Sequence, residues 1–218
     1  MPRPRLTRKE RQAHTRTCLM ESAARIFTRR GLDQASIDEV AADAGYTKGA
    51  FYANFKSKEE LFLAMLDERF AERLEELDRV LASEGTVEEQ AREAGASFMR
   101  HVSADPEWQR LFLEFAAYAA RNEDFRQELV TRYGTLRKRM AEAFHGHARS
   151  QGIDSTPERK EEMALMLFAM ANGVALEKLL EPDVVPDDLY STMLVIFFTG
   201  LRALSTAEEP AQPAGRAG

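Results

Sequence analysis

The chain has 218 residues, 44% of them hydrophobic and 30% charged, with a net charge of −6. That is ordinary globular composition, long enough for one large domain or a small one beside a larger one, and a single cysteine, Cys18, excludes an internal disulfide. The net charge argues against a nucleic-acid protein only until it is split: residues 1–58 carry twelve Lys and Arg against six Asp and Glu, so they are +6 and the remainder is −12. A basic end on an acidic body is expected where only one end meets phosphate.

Taken in order, residues 1 to about 8 are rich in Arg and Pro and are expected to lack fixed structure. Arg3, Arg5, Arg8, Lys9 and Arg11 could reach a phosphate or minor groove, or be solvated. A helix is predicted from about Arg11 to Arg30, with Leu19, Met20, Ala23, Ile26 and Phe27 on one side and Gly31 ending it. Arg29 and Arg30 lie in its last turn, where they oppose the helix dipole and flank the approach to Ser36.

Ser36 and Glu39 have capping-box spacing. Ile37, Val40, Ala41 and Ala44 follow at i, i+3, i+4 and i+7, and Gly45 stops this short helix where a left-handed residue is needed. A second short helix starts near Thr47, with Phe51 and Phe55 on its buried face and Thr47, Lys48, Gly49, Tyr52 and Asn54 on the other. Two short helices joined by a tight turn describe a helix-turn-helix. Small Gly49 and Ala50 would let the second helix lie close to base edges, and Tyr52 could pack its ring while its hydroxyl reaches a phosphate.

The run Gly45-Tyr46-Thr47-Lys48-Gly49-Ala50-Phe51-Tyr52-Ala53-Asn54-Phe55-Lys56-Ser57-Lys58-Glu59-Glu60-Leu61 resembles the recognition-helix signature of the TetR/AcrR family of transcriptional regulators. The resemblance extends from about Ala13 to Leu66, and Asn54 departs from it where many members carry a ring such as His. It implies a DNA-binding domain over 1–56 and a helical regulatory and dimerisation domain over 57–205, while the Ala, Pro, Gly and Glu content of 206–218 predicts a disordered tail. The DNA-contacting set expected is Arg29, Arg30, Ser36, Thr47, Lys48, Gly49, Ala50, Tyr52, Asn54, Lys56 and Lys58.

Ser57 and Glu60 are a further capping pair, opening a long helix to about Ser83 with Leu61, Phe62, Met65, Leu66, Phe70, Leu74 and Leu77 as its stripe. Thr86 with Glu89 caps the next, and Asp105-Pro106 is an N-cap followed by a first-turn proline. Asn122 starts another helix, Thr156-Pro157 the eighth, Glu181-Pro182 ends that one, and Asp187 starts the last. The fold expected is all-α with about nine helices: a three-helix DNA-binding domain, then a C-terminal helical domain for ligand binding and dimerisation.

The middle helices hold Phe98, Met99, Trp108, Phe112, Phe115, Tyr118, Met140, Phe144, Met166, Met170 and Asn172. By composition these are either plain core or the lining of an adaptable pocket; the family resemblance implies a pocket for a small apolar or amphipathic effector. The segments 163–176 and 189–201 are apolar nearly all round and need cover on several sides. A deeply buried monomer core would supply it, as would a symmetric four-helix bundle between two copies, which the resemblance also implies, with Met166, Met170, Val174, Leu194, Ile196, Phe197, Phe198 and Leu201 at the interface.

The uncharged runs between Glu162 and Glu177 and between Asp188 and Arg202 fall short of the ~18 residues of a membrane helix. With no apolar leader, a cytoplasmic protein without membrane partner is expected. No nucleophile motif or metal spacing stands out, His145 and His147 being two apart and on different helix faces, so neither an enzyme nor a cofactor is expected. The function read from these features is a homodimeric repressor of a near-palindromic operator, released by a small molecule. The alternative is a helical dimer acting only through protein partners, its motif vestigial.

Overall fold

A computed structural model describes residues 7–150 and 157–207, without the side chains of 145–150, 157–159 and 205–207. Arg3, Arg5, the His145/His147 pair, the Thr156 cap and the tail beyond residue 207 therefore lie outside the described residues. The fold is all-α, with nine helices among the described residues: α1 Arg8–Gln34, α2 Ile37–Asp43, α3 Lys48–Tyr52, α4 Lys58–Leu81, α5 Val87–Ala104, α6 Pro106–Ala119, α7 Glu123–Ser150, α8 Pro157–Leu180 and α9 Leu189–Ala207.

The caps show why the helices begin where they do. Ser36 and Thr86 each accept the N3 amide while Glu39 and Glu89 return to the cap amide. Asp105 accepts the Trp108 amide ahead of Pro106, and Asn122 accepts that of Phe125. At Ser57 the expected box is half formed: its hydroxyl takes the Glu60 amide, but the Glu60 carboxylate takes the Lys56 amide instead. The first helix begins three residues earlier than expected, because Thr7 and Glu10 form a capping box. Gly31 does interrupt it, at φ +74°, but a helical turn resumes as far as Gln34. The last helix starts at Leu189, with the Thr192 amide bonding the Asp188 carbonyl, and the Asp187 carboxylate is held by Lys178.

The helices divide into two compact units. One comprises Met1–Arg73 and Asp105–Tyr133, the other Leu74–Ala104 and Gly134–Gly218. The first unit is larger than the 1–56 expected for the DNA-binding domain, and the reason is core volume: a helix-turn-helix cannot bury itself. Phe27 of α1, Phe62 of α4 and Phe115 of α6, all fully buried, meet at its centre, with Phe62 and Phe115 stacked nearly parallel. Trp108 stacks on the other side of this group and Tyr118 packs edge-on to Phe125. Four residues expected to line an effector pocket, Trp108, Phe112, Phe115 and Tyr118, thus belong to this core.

The second unit gathers Phe98, Met99, Phe144 and Met170 around Leu167, Val174 and Leu194. Its α5 and α9 run in close contact at Gly95, where a Cβ would come within 2.4 Å of the Ser191 Cα. The Ser191 hydroxyl donates to the Arg92 carbonyl at the same crossing. Val174 and Leu194, expected at a dimer interface, point into this core instead, Leu194 being only 2% exposed. By contrast Leu165, Met166, Leu176 and Leu180 of α8, with Ile196 and Leu204 of α9, lie exposed. The stretch 160–180 is long and apolar enough to cross a membrane by length and composition. The run counted from Glu162 to Glu177 missed this because a helix of that length tolerates a charge near its ends. A third of its most apolar stretch is buried within the protomer.

Candidate nucleic-acid interface

The geometry of α2 and α3 is fixed from its ends. After Asp43, Gly45 takes φ +75° and its amide bonds the Ala42 carbonyl, while the Tyr46 amide bonds that of Ala41. These two bonds are a Schellman cap, so the chain leaves α2 sharply and turns into α3. Thr47 caps α3 by accepting the Ala50 amide. Phe51 and Phe55 then fill the core while Tyr52, edge-on to Phe51, stays 52% exposed. Thr47, Lys48 and Gly49 are exposed beside it and Ala50 is half-buried. A Cβ built on Gly49 would meet only the Thr47 Oγ1, at 3.7 Å, so the fold leaves open space there.

Two expected contact residues are committed inside the fold. Asn54 turns back, its Nδ2 donating to the Ala50 carbonyl at 2.8 Å, and no donor among the described residues reaches its buried Oδ1. It therefore does not share the exposed face with Tyr52. Lys58 sends its ammonium to the carbonyls of Leu32 and Ala35, at 2.6 and 2.8 Å. There it neutralises the open end of α1 and steadies the approach to Ser36, a role that a spacing in sequence does not reveal. Lys56 remains exposed.

Sequence reasoning also missed residues that hold this face in place. Arg16 lies over the Phe55 ring, 4.2 Å from its centre, and donates to the Asn54 carbonyl, which ties α1 to the end of α3. Ser22, fully buried, has its hydroxyl 2.8 Å from both the Val40 carbonyl and Asp43 Oδ2. Glu114 of α6 accepts the Leu32 amide and lies where a side chain on Gly31 would stand. A buried serine opposite an aspartate twenty-one residues away carries no local signal, and neither do the other two.

Four of the cations are paired with carboxylates of α2. Arg30 meets Glu39 at 3.0 Å, Arg25 meets Asp43 at 2.7 Å with Arg29 at 3.8 Å, and Lys48 meets Asp38 at 3.0 Å. The Glu39 carboxyl is held below its usual range first by the Ser36 amide, with Arg30 and Arg29 adding to it. Hydrogen bonds from Arg25 and then Ser22 lower that of Asp43. The bond from Lys48 to Asp38 raises the lysine.

Two short helices joined by a Schellman turn, the second presenting small, cationic and hydroxyl groups, make this a helix-turn-helix protein. Residues 19–65 match the family described as "Bacterial regulatory proteins, tetR family" and residues 87–202 match "BetI-type transcriptional repressor, C-terminal". The chain belongs to the TetR family. It is 41% identical over 59 residues to the HTH-type transcriptional regulator TtgR of Pseudomonas putida, covering 27% of this chain and 28% of that protein. It is 26% identical over 95 residues to the uncharacterized HTH-type transcriptional regulator YwcC of Bacillus subtilis, covering 41% and 43%. The chain thus spans less than half of the length of these two curated relatives. Among solved structures, FadR from Bacillus subtilis in complex with stearoyl-CoA superposes with a TM-score of 0.66 at 15% identity, covering 87% of this chain and 96% of that one.

Proposed function

We propose that the protein is a homodimeric, cytoplasmic repressor that reads a near-palindromic operator through α3 and is released by a small apolar or amphipathic effector. The observation that carries the reading is the α3 face: Thr47, Lys48, Gly49 and Tyr52 stand exposed around open space, on a helix whose other side is locked into the core by Phe51 and Phe55. Small residues admit a helix to the major groove, and the cation and hydroxyls supply contacts to base edges and phosphates. The match to a repressor-type C-terminal half supports repression over activation.

One α3 alone is a weak reader. The exposed stripe of Leu165, Met166, Leu176 and Leu180 on α8, with Ile196 and Leu204 on α9, supports pairing with a second copy. It replaces Val174 and Leu194 in the expected interface; Phe197, Phe198 and Leu201 are half-buried and border it. A dimer would place two α3 helices in successive major grooves, ~34 Å apart, and convert two weak half-sites into one tight operator.

The effector reading rests on the apolar cluster of the second unit, where Phe98, Met99, Phe144 and Met170 converge, and on FadR, which is a stearoyl-CoA complex in its own structure. Met166 and Asn172 lie exposed on α8, away from a buried lining. An effector lowers operator affinity only by its differential affinity for the two states. The test is selection of bound fragments from a random duplex pool, followed by gel shift and light scattering. Recovery of a palindrome bound by a dimer is expected. A monomer at micromolar concentration, or no duplex retained at about 50 mM salt, would refute the proposal.

A further inference from the structure

Four cations beside the helix-turn-helix meet carboxylates of α2, Arg30 at Glu39, Arg25 and Arg29 at Asp43 and Lys48 at Asp38, and the three carboxylates differ in duty. Glu39 completes the Ser36 capping box. Asp43 receives Ser22 and Arg25, which join α1 to α2. Asp38 does neither. Its side chain is 63% exposed and Lys48 is its partner, reached from the next helix across ten residues. Its contribution to the fold is small, that of an exposed ion pair and of one acidic group in the first turn of α2. Yet it occupies the one cation on α3 itself.

We infer that Asp38 is a specificity-determining residue, acting through Lys48 to restrain that cation from arbitrary phosphates. The inference rests on the reading of α3 as the DNA-facing helix. An unpaired lysine is a point charge on a flexible stem, and any phosphate satisfies it. Each such contact strengthens binding to every duplex and steepens its salt dependence by about 0.9 in the log–log slope. Asp38 takes one of the three ammonium donors and cancels the local charge. It also anchors the nitrogen beside the first turn of α2, leaving two donors in a defined place. A random duplex must compete with the carboxylate for Lys48, whereas a matching base edge uses the donors that remain. Asp38 therefore lowers the background more than it lowers operator binding.

The experiment uses the full chain and two duplexes of about 30 base pairs, room for two half-sites a turn apart: one of random sequence, one selected from a random pool by the wild-type protein. Exposed ion pairs shift equilibria by about 1.4- to 5-fold, so Asp38→Asn is expected to tighten random-duplex binding by that factor per protomer. Its salt slope should steepen, operator affinity should change less than about 2-fold, and the operator-to-random ratio should fall. Asp38→Glu keeps the carboxylate and should restore the ratio. In a Lys48→Met background, Asp38→Asn should leave random-duplex binding unaltered, which separates action through Lys48 from direct repulsion of phosphate. Equal tightening of both duplexes, no change in either, or a gain that persists without Lys48 would each overturn the inference alone. Failure of the wild-type protein to hold either duplex would overturn the DNA reading itself, and this inference with it. Thermal melting of Asp38→Asn alongside the wild type shows that a change in ratio is not partial unfolding.

Discussion

Gly49→Ala separates what the fold needs at α3 from what a groove would need. The added Cβ would sit 3.7 Å from Thr47 Oγ1, an ordinary contact, and the backbone there is not left-handed. Replacing an exposed helical glycine with alanine stabilises by about 0.5–1 kcal/mol. The second position of a helix lies at the low end, so we expect about 0.5 kcal/mol. For a chain of this length that is a rise of about 1–2 °C in Tm. A groove floor against the same surface would meet the new methyl directly. Overpacking a close interface costs about 1–3 kcal/mol, so operator affinity should fall about 5- to 150-fold per engaged α3 while the melt improves. The assay is a gel shift at fixed salt paired with a thermal melt. A drop in Tm would show that the glycine serves the fold; unchanged operator affinity would show that α3 does not lie against base pairs at Gly49.

Three further outcomes follow from the geometry. Lys58→Met leaves the Leu32 and Ala35 carbonyls without their charged donor, so chemical denaturation should show a loss of about 1.5–3 kcal/mol; unchanged stability would return Lys58 to the set of free DNA-facing cations. Gly95→Ala drives a methyl into the Ser191 backbone and should destabilise by about 1–3 kcal/mol, visible as an earlier melt with α3 untouched. On acidification, the carboxyls of Glu10, Glu39, Asp43 and Glu89 all titrate below their usual range. The unfolded chain then binds more protons than the folded one, so the stability they contribute is complete above about pH 4–5 and is lost as pH falls through their depressed folded values. A melt that is flat down to pH 3 would contradict this, and Asp43→Asn should make the acid decline shallower.

Much of the candidate site was legible in the sequence because the forces involved are local. The Ser36–Glu39 box, the Gly45 stop, the Thr47 cap and the four-residue spacing of Phe51 and Phe55 all act within a turn or two. They place Thr47, Lys48, Gly49 and Tyr52 on one exposed face whatever the rest of the chain does. Spacing does not show which polar side chains turn back onto carbonyls of the fold, near or far in sequence. Asn54 shares the spacing of an exposed residue, but its amide reaches the Ala50 carbonyl inside the fold. Lys58 reads as a basic residue near DNA, but two carbonyls more than twenty residues away claim it.

The same division holds at the scale of the fold. Sequence by itself determined that the chain is helical, where most helices begin, and that 163–176 and 189–201 need cover beyond one face. Those are consequences of capping chemistry and of apolar content, both carried by neighbouring residues. Only tertiary structure decided that Phe62 draws Trp108 and Phe115 into the unit of the helix-turn-helix, and that Leu194 faces inward while Ile196, 67% exposed, faces out. A helix apolar on every side carries no internal mark of which stripe meets the core. That choice belongs to the partners packed against it, here Gly95 of α5, whose missing side chain lets the α9 backbone come close at Ser191.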